Sequence, residues 1–143
     1  MDFFSSLRVS ASGLSAQQTR MNTISSNIAN AETTSADGPY RKKDPVFKSV
    51  TDRKHFGEIL TDAMDEHVEG VMVESIHEDT RPPRLVYNPN HKHARPDGYV
   101  EMPNVNVVEE MANMINASRS YEANITAMNA AKAMAMRALD IGK

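Results

Sequence analysis

All seven prolines of this 143-residue chain stand between positions 39 and 103, and the segments on either side contain none. A proline inside a helix removes a backbone donor and clashes with the preceding turn, so the two ends are free to form long helices and the middle is not. Both ends carry the matching periodicity. Leu7, Leu14, Met21 and Ile28 recur every seven residues, with Phe4, Ala11, Gln18 and Ser25 three residues before each. Toward the other end Met111, Ser118, Ile125, Lys132 and Leu139 form one row, and Met114, Tyr121, Met128 and Ala135 form another. Seven-residue spacing gathers each set on one narrow stripe of a helix, the pattern of helices that pair in coiled coils. One such stripe suits an ordinary amphipathic helix on a globular core; two favour pairing of the ends.

Between the stripes lie mostly Ser, Gln, Asn, Thr and Ala, with few of the Glu/Lys pairs that solubilise a free two-stranded coil. Ala123, Ala127, Ala130, Ala131, Ala133, Ala135 and Ala138 permit close helix approach, and the unbranched Met111, Met114, Met128, Met134 and Met136 adapt to inequivalent neighbours. Asn106 can accept from the first-turn amides of a helix, and Glu109 and Glu110 favour its positive end, so the second helix is predicted to begin near Val107 and run almost to Gly142. A narrow seam of small residues buries little area in one chain, which predicts ends that are largely unfolded in dilute monomer and become helical among neighbours.

The middle alternates apolar and polar residues over Val71 to Ile76, Arg84 to Tyr87 and Gly98 to Met102, with Pro/Asn/Gly clusters between them that read as turns. A small antiparallel β-unit over about residues 70–102 is expected. Residues 31–67 read as extended chain or a mobile loop, with Pro45 to Lys48 open between strand and loop. The fold class is α+β: residues 1–33 pair with residues 104–143 as an inner coiled-coil-like domain, and residues 34–103 form an inserted middle domain.

Composition excludes several classes of function. Sixteen Lys and Arg against nineteen Asp and Glu give a formal net charge of −3, without the basic excess that holds a phosphate backbone, so nucleic acid is not an expected partner. The absence of Cys removes disulfides, thiolate metal sites and Cys catalysis. No run of about 18 apolar residues suits a membrane span, and the N-terminus lacks a Sec-type signal pattern. His91 and His93 flank Lys92 in a Pro/Asn loop without a third ligand at metal spacing, and His55, His67 and His77 are scattered, so a solvated turn is expected and no metal. Asp62, Asp65, Glu66 and Glu69 lack the spacing of a calcium loop, and Arg41-Lys42-Lys43 is answered at once by Asp44, which reads as surface charge. No phosphate loop, nucleophile elbow or dinucleotide fingerprint occurs, and no cofactor is expected. A helical adaptor that binds through one amphipathic helix is the alternative class, and it needs only one stripe.

The run Ser25-Ser26-Asn27-Ile28-Ala29-Asn30-Ala31-Glu32-Thr33-Thr34 closely resembles the signature shared by the axial proteins of the bacterial flagellum, the rod, hook and hook-associated families. Short length, Gly98-Tyr99-Val100 leading to Met102-Pro103-Asn104-Val105-Asn106, and the tail Arg119-Ser120-Tyr121-Glu122-Ala123-Asn124 are most similar to the proximal-rod members. One departure is Lys92, where the family commonly has a proline after the histidine of Tyr87-Asn88-Pro89-Asn90-His91. The resemblance implies a structural subunit of the rod that joins the motor to the hook, and no enzyme. It implies export without a cleaved signal by the flagellar type III apparatus, a place in the periplasmic rod, and partners among copies of itself, other rod subunits, the rod-to-ring adaptor and the distal rod protein. The expected assembly interface comprises Leu7, Leu14, Met21, Ile28, Met111, Met114, Tyr121, Ile125, Met128 and Leu139, and the family motif Ser26, Asn27, Ile28, Ala29, Asn30 and Thr33. Within that motif Asn27 and Asn30 can either close the first helix in left-handed backbone or bridge to a neighbouring helix.

Zinc or nickel titrated into the untagged protein is expected to bind without stoichiometry. A tight one-to-one isotherm lost in a His91→Ala/His93→Ala variant would contradict the solvated-turn assignment.

Overall fold

The computed structural model describes residues 3–35, 37–50 and 70–141. Helix α1 spans Phe3–Ala29 and helix α2 spans Val107–Ile141. Between them run β1 Lys43–Val50, β2 Gly70–Glu78, β3 Arg84–Tyr87 and β4 Tyr99–Met102. The fold is α+β, two long terminal helices around a small antiparallel β region. Helix α2 starts where the Asn106 cap predicts: the Asn106 Oδ1 accepts from the backbone N–H of Val108 at 3.1 Å and of Glu109 at 3.4 Å.

The two helices pack antiparallel. Gly13 lies against the side chain of Asn124, whose Nδ2 would be 3.0 Å from a Cβ placed on the glycine. Two heptads further along α1, Asn27 donates to Glu110 at 2.9 Å, and Glu110 lies two heptads back along α2. In that register α1 covers α2 only as far as about residue 134, so the last two turns of α2 project past the described start of α1.

The seam between them differs from the heptad rows that the large residues pick out. On α2 the less exposed positions include Glu110, Met114, Ala117, Tyr121, Asn124, Met128, Ala131 and Ala135, spaced alternately four and three, with Val107, Asn113 and Ser118 beside them. This joins the Met114–Tyr121–Met128 row to a row of small and polar residues one position before Met111. On α1 Phe4, Ala11, Gln18 and Ser25 are all exposed, and Ala16, Thr23, Ile24 and Asn27 are buried. Small side chains win the interior because they let the two backbones approach where larger ones would hold them apart.

The middle also pairs differently from the single β-unit expected over residues 70–102. Strand β2 folds back on β1, with Lys43 opposite Glu78 and Val50 opposite Gly70, and the register shifts at Val46/Phe47. Strands β3 and β4 form a second, separate two-stranded sheet. Part of the stretch read as loop is thus strand β1, and Phe56 to His67, with Asp62, Asp65, Glu66 and Glu69, lie outside the described residues. The first ribbon is as long as the stretch of α1 from Ser12 to Asn27. The end at which the chain enters and leaves the ribbon, Lys43 opposite Glu78, meets Asn27 through the backbone of Lys43, and its other end meets Ser12, whose Oγ accepts from the Val71 N–H at 3.1 Å. From Ser12 to Asn27 a helix rises about 22 Å, and from Lys43 to Val50 a strand covers about 23 Å. That match lets α1 pair with α2 and with the ribbon at once.

Asp79 ends β2 with its N–H on the Lys42 carbonyl at 2.8 Å, and its carboxylate accepts from the N–H and Nε of Arg81. Those bonds hold the Asp79 carboxyl below the usual range and turn the chain toward β3. In the β3–β4 hairpin Tyr87 and Tyr99 are directly opposite with ring centroids 5.3 Å apart, edge to face. Gly98 closes the loop with φ of +79°, and a Cβ there would stand 2.8 Å from Tyr87 Cε2. Gly98→Ala is therefore expected to weaken the hairpin by about 1–2 kcal/mol. Reduced amide-exchange protection across residues 84–87 and 99–102 checks this, and unchanged protection would contradict it.

Candidate assembly interface

Three segments converge on the side chain of Asn27, which is fully buried. Its Oδ1 accepts from the Lys43 N–H at 2.9 Å and from the Tyr40 hydroxyl at 2.9 Å. Its Nδ2 donates to the Lys43 carbonyl at 2.8 Å and to Glu110 Oε2 at 2.9 Å. Both donors and both acceptor positions of the amide are thereby used, and the partners fix which way it points. Ser26 Oγ lies 3.3 Å from the Tyr40 hydroxyl and extends the network to the helix surface.

Glu110, 1% exposed, is the largest fully buried side chain among the described residues. Its Oε1 is 3.0 Å from Lys42 Nζ, and Asn113 Nδ2 approaches the same oxygen at 3.5 Å. Lys42 is itself buried, with Asp44 3.7 Å away. Burial pushes the Lys42 ammonium toward neutrality, but its hydrogen bond to Glu110 and the charges of Asp44, Glu110 and Glu109 outweigh this and raise its pKa above the ordinary 10.5. Sequence reasoning placed Lys42 in a surface basic run, which is corrected; Glu110 is in the first turn of its helix as expected, and its burial was not foreseen. A signal was present in the heptad phase: Glu110 falls in one row with Ala117, Asn124 and Ala131.

The two motif asparagines divide the roles. Asn27 is the bridge, and Asn30 closes the helix, with its N–H and its Nδ2 both on the Ser26 carbonyl, at 3.1 and 2.8 Å. The closure uses no left-handed residue, since among the described residues positive φ occurs only at Gly38 and Gly98. Thr33 donates to Asn30 Oδ1 at 3.2 Å, Ser26 and Ile28 are half-buried, and Ala29 is exposed.

The other expected interface residues fall into two sets. Leu7, Leu14, Met21, Met114, Tyr121 and Met128 are half-buried along the flanks of the helix pair. Met111, Ile125 and Leu139 face away from it, and with Val108 and Ile115 they form an exposed apolar stripe on α2, 76% exposed at Val108 and 70% at Leu139. Among the described residues six apolar side chains are buried, four of them alanines, while seventeen large ones are exposed. A water-soluble monomer does not usually leave that much on its surface. The rings of His91 and His93 are tilted to each other with centroids 5.9 Å apart, and the Nδ1 of His91 accepts the His93 N–H at 3.2 Å, so that nitrogen is already engaged. No group of three or more metal-ligating side chains occurs among the described residues, and none of their helices is long and apolar enough to cross a membrane.

Residues 7–36, which contain the Asn27 bridge and the Asn30 closure, match the family described as flagella basal body rod protein. Residues 97–141, most of which are α2, match the C-terminal family of the flagellar basal body rod FlgEFG proteins. Over its whole length the chain is 45% identical to all of the flagellar basal-body rod protein FlgC of Bacillus subtilis. It is 44% identical to that of Borreliella burgdorferi over 99% of this chain and 98% of the relative, and 42% identical to that of Salmonella typhimurium over 94% of each. The chain belongs to the FlgC family of flagellar basal-body rod proteins. Like the FlgC family, it is a structural protein of the rod in the flagellar basal body, and no enzyme. The FlgC fold thus keeps small and polar residues inside and offers its large apolar residues outward, as a subunit requires.

The raised Lys42 pKa gives a pH dependence of definite sign. A cation favoured in the folded state stabilises it fully below the unfolded pKa and loses that contribution as pH rises through the folded value. Helical circular dichroism of the concentrated, associated protein is expected to fall above about pH 10.5, and to fall less in a Lys42→Met/Glu110→Met variant. Equal losses in both would contradict the assignment.

Proposed function

We propose that the chain is a subunit of the proximal segment of the rod and polymerises through the outer faces of its terminal helices. In this capacity it forms part of the drive shaft that carries motor torque to the hook. Its inner domain is residues 1–33 with residues 104–143, and its outer domain is residues 34–103. The observation that carries this function is the exposed stripe of Val108, Met111, Ile115 and Ile125 on a helix already packed against α1, continued by Leu139 where α2 projects past the described start of α1. Leu7, Leu14, Met21, Ile28, Met114, Tyr121 and Met128 line the edges of the same surface and complete the contacts with neighbouring subunits.

Its neighbours are further copies of itself, other rod proteins, the rod-to-ring adaptor and the distal rod protein, and it reaches the periplasm through the flagellar type III export apparatus without a cleaved signal. The likeness to rod proteins supports these partners. An adaptor with one docking helix has no use for apolar residues exposed on the ribbon as well, such as Val71, Met72 and Ile76.

Ile125→Asp tests the interface, because Ile125 is outside the row of buried α2 residues and 37% exposed. An unpaired charge in an apolar contact costs several kcal/mol, so cells carrying the variant as their sole copy are expected to make and export the protein yet to lack complete rods and to be non-motile. Normal swimming would contradict the assignment.

A further inference from the structure

Among the described elements α2 packs only against α1, and the ribbon packs on α1 but not on α2. The β3–β4 hairpin packs on neither helix. The axial position of α2 is therefore left to its seam with α1 and to whatever ties its first turns to the middle of the chain. The row of small and polar residues in that seam does not by itself select one register. Gly13 sits opposite Asn124, and Ala131 lies one heptad further along the same row, so a slip of seven residues sets small against small.

The polar cluster does resist. In the slipped register Ala117 replaces Glu110 opposite Asn27, and Glu110 leaves both Asn27 Nδ2 and Lys42 Nζ without their charged partner. We infer that the buried Asn27–Glu110–Lys42 cluster is a register clamp, which selects one axial alignment of the two terminal helices and excludes the heptad-shifted one. A single buried polar group at a core position sets register in coiled coils in the same way. Because Lys42 and Lys43 open the ribbon, the clamp also sets the ribbon against both helices in one step.

The absence of cysteine makes the test direct. Gly13→Cys/Asn124→Cys reports the native register by an intrachain disulfide, and Gly13→Cys/Ala131→Cys reports the slipped one. Each pair is placed in the otherwise unchanged full chain and in chains carrying Lys42→Met/Glu110→Met, which removes both buried charges together, or Glu110→Gln, which keeps an acceptor for Asn27 and Lys42. The proteins are oxidised at the highest concentration that stays in solution, and the yield of slipped over native cross-link is measured. A low ratio is expected in the unchanged chain and with Glu110→Gln, and a ratio about tenfold higher with Lys42→Met/Glu110→Met. A low ratio in that double variant, loss of its helical signal, or a ratio near one in the unchanged chain would each overturn the clamp.

Discussion

A carboxylate removed from water must find partners or neutralise, and the arrangement of this chain follows from how Glu110 finds them. It takes one from α1, Asn27, and one from the segment entering β1, Lys42. Asn27 in turn holds the backbone of Lys43 on both sides, as a neighbouring strand would. Three segments far apart in sequence thus meet through one saturated set of hydrogen bonds. A half-made version would leave buried groups unsatisfied, so the set favours forming together.

Around that cluster the usual distribution of side chains is inverted. Alanine and polar groups make up most of the interior, with Ile24 and Val100 the only larger aliphatic residues buried among those described, and many valines, isoleucines and methionines lie outside. Ala16, Ala117 and Ala131 bring the backbones close but remove little apolar area from water. We propose that the helix pair gains specificity from inside the chain and most of its stability from contacts beyond it. A rod subunit benefits from that division, since a chain whose ends stay open until they dock does not polymerise early.

Much of this was legible in the sequence. Proline placement and heptad spacing gave the two helices, and Asn106 located the start of α2 to the residue. The face turned inward was not legible, because hydrophobic periodicity finds large residues and here those point outward; Met111, Ile125 and Leu139 mark the outer stripe and not the intrachain seam. Pairing of β1 with β2 escaped because the alternation of Pro45 to Lys48 is short and its partner begins more than twenty residues later. Lys42 looked like surface charge since its partner, Glu110, is remote in sequence and only the fold brings them together. The Asn27 and Asn30 alternatives were both present in the residues and both are used, one at each position.

The central claim is that the terminal helices depend on neighbouring subunits for their stability. Backbone carbon chemical shifts of the full chain as a dilute monomer test it most directly. Shifts close to random coil through residues 3–29 and 107–141 are the expected result, whereas stable helical shifts throughout both segments in a monomer would contradict it.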